Sequence, residues 1–135
     1  MRPDPKLVRR HVAPVFGPTI NAADNALRDC IRAELVDAGM KVVQGPASSA
    51  RPPICVWTGT ARFRLDAGSV ADAHALRNRI AQDRRCASWV EDAVEHMFQV
   101  EHPGVLVREV DCVLTVTTDL DVVVIDVDIE ARADA

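Results

Sequence analysis

The chain has no tyrosine, two tryptophans and three phenylalanines, and its basic residues are not interleaved with aromatic ones. It therefore lacks the stacking platforms on which single-stranded nucleic acids are held. Long apolar runs are also missing. The longest, Val122 to Ile125, is far short of the roughly 20 residues that span a bilayer as a helix. The opening Met-Arg-Pro-Asp-Pro puts charge and proline where a secretory signal needs an apolar segment of about 7 to 15 residues, so secretion is not expected.

The motifs of common enzymes and metal sites are missing as well. Cys30, Cys55, Cys86 and Cys112 lie 25, 31 and 26 positions apart, and no CxxC pair can start a zinc or redox site. Each sits in an apolar pattern and is read as a buried free thiol of a reducing compartment. His11, His74, His96 and His102 form no HExxH or HxH pairing, and there is neither a GxSxG elbow nor a glycine-rich phosphate loop. No cofactor is expected. Two weaker features are noted: Cys86 beside Arg84 and Arg85 at a helix start, where a thiol pKa can fall, and Asp92 four residues before His96.

What the sequence does have is a core. Its 135 residues, 48% of them hydrophobic, exclude a disordered chain and are enough to bury about two-thirds of the unfolded surface. The charge is polarised along the chain. Residues 1 to 85 hold 14 Lys/Arg against 8 Asp/Glu, and residues 86 to 135 hold 2 against 12, within a net charge of −4. Such polarity describes two solvated faces, or favours head-to-tail association of identical subunits.

Residues 1 to 20 contain Pro3, Pro5, Pro14 and Pro18 and are read as an extended arm. Its apolar members need cover, and Lys6, Arg9, Arg10 and Phe16 are candidate contacts to a neighbouring subunit. Residues 21 to 135 are read as one α+β domain. Ala23, Leu27, Ile31, Leu35 and Ala38 predict a helix over 22 to 38, capped by Asn21 and ended by Gly39, with Asp24 placed to pair with Arg28. Met40 to Val43 reads as a short strand before a Pro/Ser/Gly loop. Ile54 to Trp57 and Thr60 to Asp66 read as extended segments bent at Gly59, the second with Arg62 and Arg64 outward.

Ser69 with Asp72, and Ser88 with Glu91, are capping-box patterns that predict helices over 70 to 83 and 89 to 99, broken at Arg84 to Cys86. Val105 to Thr118 and Leu120 to Ala131 predict a C-terminal hairpin. The expected fold is a mixed or antiparallel sheet covered on one face by the three helices. On the outer face of the last strand, Asp126, Asp128 and Glu130 recur every second residue, about 6.6 to 6.8 Å apart. A metal could bridge two of them, but a straight strand holds carboxylates parallel rather than convergent, which favours a solvated or lumen-lining stripe.

This order of elements, with the strand Arg-Pro-Pro-Ile-Cys-Val-Trp-Thr-Gly at 51 to 59, resembles the tail terminator proteins of long-tailed bacteriophages over residues 20 to 131. The resemblance implies a ring subunit of the virion neck that is assembled in the host cytoplasm and joins other tail or connector proteins, without a membrane. Asp126, Asp128 and Glu130 would then line a channel for passing DNA, repelling its phosphates without reading sequence. Arg51, Arg62 and Arg64 would join the arm in subunit contacts. Residues 60 to 131 also resemble pterin carbinolamine dehydratases, through Glu101-His102-Pro103 and Thr117-Thr118-Asp119. There, only His102 falls on a catalytic position. Glu101 and Asp119 stand where that family has histidine, which implies a non-catalytic relative.

Overall fold

The computed structural model describes residues 20–49 and 51–134, with side chains from Asp24 onward. Lys6, Arg9, Arg10 and Phe16 lie outside the described residues. Seven elements follow in order: α1 (Ile20–Ala38), β1 (Lys41–Ala47), β2 (Ile54–Asp66), α2 (Val70–Gln82), α3 (Arg84–Glu101), β3 (Val107–Asp119) and β4 (Val122–Asp134). The strands form one antiparallel sheet in the order β1-β2-β4-β3. This is an α+β architecture, and β3 and β4 make the C-terminal hairpin anticipated from alternation.

Alternation sets the two faces of the sheet. Ala61, Phe63 and Leu65 of β2 and Val123, Ile125, Val127 and Ile129 of β4 point to one side and are buried there with Leu27, Ile31 and Leu35 of α1, Leu76 and Ile80 of α2, and Val90, Val94 and Met97 of α3. A second cluster, Cys55, Trp57, Phe98, Ala131 and Ala133, extends the same layer toward the far end of the hairpin. The register places Arg62 opposite Asp126 and Thr60 opposite Asp128 on the other side, which carries no helix among the described residues.

Local chemistry explains the element ends. Gly39, at φ +75, takes the left-handed conformation and donates its N–H to the Leu35 carbonyl at 2.9 Å, which closes α1. Ser69 caps α2 as its pattern predicts, its hydroxyl accepting from the Asp72 N–H at 3.1 Å. The β1–β2 loop is pinned by Ser48, whose N–H donates to the Ile54 carbonyl at 2.7 Å while its hydroxyl accepts from the Ile54 N–H at 3.1 Å.

Four expectations need correction. Asn21 lies inside α1, which begins at Ile20. α3 begins at Arg84, not after Ser88, because the Asp83 carboxylate accepts from the Arg85 N–H at 3.0 Å and out-competes Ser88 as the cap. The earlier start also buries Cys86 completely. Gly59 does not break the extended segment: β2 is continuous, and glycine is required because a Cβ there would stand 2.0 Å from the Lys41 carbonyl oxygen on the paired strand. Finally, β1 runs on to Ala47, through Gly45 and Pro46, at the cost of a register shift between Gln44 and Ala47.

Candidate functional site

Five of the residues singled out from the sequence meet on the helix-free face of the sheet. β2 delivers Arg62 and Arg64, and β4 delivers Asp126, Asp128 and Glu130, because both strands alternate in register. Arg62 donates to Asp126 through Nε at 2.5 Å and a terminal nitrogen at 3.2 Å. The hydrogen bond and the charge of Asp126 raise the Arg62 pKa, and the same hydrogen bond holds the Asp126 carboxyl below its ordinary value. Glu130 accepts from Arg132 at 2.9 Å, and Arg132 also donates to Glu109 of β3 at 3.1 Å. Those two carboxylates raise the Arg132 pKa, Glu130 most strongly. Arg108 pairs with Asp134 at the end of the hairpin. Asp128 alone of the three stripe residues has no ion-pair partner among the described residues.

The stripe is therefore not a bare anionic row. Charges far apart in sequence, 62 and 126, become neighbours because β2 and β4 pair, and this local neutralisation is invisible to a count of charges along the chain. The polarity survives only toward the margins of the sheet. Lys41, Arg62 and Arg64 stand on the β1–β2 side, and Asp111 and Asp119 on β3. Where β1 begins, Gly39, Lys41, Thr60, Arg62, Asp126 and Asp128 border an open groove of about 610 Å³. Its carboxylates lie in a row rather than around a point, and no cluster of three or more His, Cys, Asp or Glu is gathered for a metal among the described residues. Arg51 is exposed at the β1–β2 loop, away from this groove.

Two chemically reactive candidates are placed in unreactive settings. Cys86 is fully buried, and burial pushes its thiol up to about 11, with Asp83 adding to the rise against the opposing pull of Arg79 and Arg85. Arg84 and Arg85 do not bring it below its ordinary value, and Cys86 is placed as the buried free thiol that its apolar pattern predicts. His102 ends α3, with its ring packed 4.7 Å from Trp57 and 4.9 Å from Phe98 between centroids. His102 packs beside Trp57, whose β4 partner Ala131 stands opposite Val110, whereas Thr117-Thr118-Asp119 close the far end of β3, about 27 Å further along the strand, so they share no site. His96 sits instead in a smaller groove with Arg32, Val36 and Ala93.

A buried ionic cluster among the described residues has no counterpart in the sequence pattern. Asp24, only 6% exposed, pairs not with Arg28 but with Arg79 of α2 and Arg85 of α3, the latter at 2.6 Å. Asp83 joins through Arg85 at 2.8 Å, and that hydrogen bond lowers the Asp83 pKa. The cluster ties the three helices together at one point. No local spacing announced it, since its members are 55 and 61 residues apart. No helix is long and apolar enough to cross a membrane among the described residues. In comparisons with known proteins, no family model, no curated protein and no solved structure matches the chain.

Proposed function

We propose that this chain is a structural, self-assembling subunit of the tail-terminator kind, forming a ring at the junction of a phage tail with its head connector. The observation that carries the reading is the order and packing of the elements. An opening helix, a strand pair joined by a proline-bearing loop, paired helices and a closing hairpin are those on which the resemblance rests, here built into one sheet with helices on a single face. Among the described residues one face of this sheet carries no helix and its outer strands, β1 and β3, pair on one side each, which leaves surface for neighbours.

On this reading the helix-free face serves as a wall of mixed charge. Asp128 and the β3 acids are its anionic part, and Arg62 and Arg132 neutralise the rest. Passing DNA would meet partly balanced charge, which lowers electrostatic attraction without strong repulsion. Negative-stain electron microscopy with sedimentation velocity tests the proposal. Closed rings, alone or with tail-tube protein, are the expected outcome. Monomers at high concentration in the presence of tail and connector partners would overturn it.

A further inference from the structure

We infer that copies of this chain join edge to edge, β3 of one copy adding alongside the free stretch of β2, residues 61–66, of the next. The inference rests on the assembly reading above and names the surfaces that would carry it.

The donor edge is unusually unguarded. Among the described residues β3 is hydrogen-bonded on one side only, to β4. Its stretch Cys112–Thr118 contains no charge, proline or glycine, and five of its seven residues are β-branched. Solitary edges are normally blunted by lysine, proline or a bulge, and here the single irregularity lies outside this stretch, between Val107 and Glu109. Val113 is 65% exposed on the helix-free side, while Val110, Cys112, Leu114 and Val116 on the other are only partly buried. Such a strand is a template for further pairing.

The acceptor edge is shorter and matches it. β1 pairs with β2 only as far as Lys41 opposite Thr60, so among the described residues the stretch 61–66 has a strand neighbour on the β4 side alone. Six residues make a slot about 20 Å long, close to the length of the uncharged stretch of β3. The open groove bordered by Gly39, Lys41 and Arg62 lies at its head.

Charge selects this pairing over the alternative. β3 carries Arg108, Glu109, Asp111 and Asp119; Glu109 is held by Arg132, and an antiparallel pair of β3 strands centred on Thr115 would set Asp111 of each copy against Asp119 of the other. The acceptor side presents Lys41 and Arg64, on either side of the Arg62–Asp126 pair. Joining unlike edges is a heterologous contact, which closes into a ring when the rotation per subunit permits.

The test places a photo-crosslinking benzoylphenylalanine at Thr115 in the full chain and maps the crosslinked dimer by mass spectrometry, alongside the variant Val113→Lys. The expected result is a dimer band whose crosslink falls within residues 60–66 of the second copy. Val113→Lys should assemble at least about tenfold more weakly while keeping its circular dichroism and melting temperature. Assemblies whose crosslink maps to β3 of the second copy, or elsewhere, would overturn this inference and leave the assembly reading standing. Monomers without crosslinked dimer at any concentration would overturn both.

Discussion

β3 and β4 are hairpin partners of thirteen residues each, and both alternate apolar with polar side chains, yet they occupy different worlds. Val123, Ile125, Val127 and Ile129 of β4 are almost wholly buried, whereas Val110, Cys112, Leu114 and Val116 of β3, facing the same core, are partly exposed. The difference is position. β4 lies between β2 and β3, while β3 has a strand neighbour on one side only among the described residues. Alternation therefore reports which way a side chain points, and the sheet order decides how deeply it is covered.

The largest effect that would break this comparison is expected at Ile125. Ile125→Ala should cost about 4 kcal/mol by chemical denaturation, since its neighbours on both flanks cannot collapse into the space. Asp24→Ala is expected next, at about 3 kcal/mol, because it removes the buried carboxylate that Arg79 and Arg85 share. Leu114→Ala should cost only about 2 kcal/mol on the edge strand, and a loss equal to that at Ile125 would show that β3 is covered as completely as β4.

A pH titration sharpens the contrast between layers. Cys86 has its folded pKa raised to about 11 from 9.0, so the thiol stabilises the fold fully below pH 9 and loses that contribution as pH rises toward 11. With no tyrosine and only two lysines in the chain, thiols dominate this window. Melting temperature should fall between pH 9 and 11, and Cys86→Ala should flatten that limb in part, the rest belonging to Cys112, whose thiol is pushed up to about 12 by burial. The smallest effect belongs to the open face. Asp126→Ala should leave the melting temperature unchanged within error, because its ion pair with Arg62 stands in water.

Much of this was legible beforehand, and for local reasons. The stripe Leu27, Ile31 and Leu35, the Ser69 cap, the Gly39 stop and the alternation of Val123 to Ile129 depend on neighbours within a few residues. The start of α3 is not fixed locally because two caps compete within six residues, and the choice of Asp83 follows from burying Cys86 and from Arg85 reaching Asp24. The acidic stripe was found residue by residue, but its neutralisation was not, because Arg62 meets Asp126 only through strand pairing across 64 positions.

By itself the sequence determined the α+β class, the identity of the helices and the hairpin, and which side of each strand is apolar, since periodicity and capping act over one or two turns of chain. Tertiary structure alone decided that β2 lies beside β4, that Asp24 gathers two distant arginines, and that β3 is left at an edge. These depend on which elements pack together, a choice made by burial and long-range pairing that no short window of residues records.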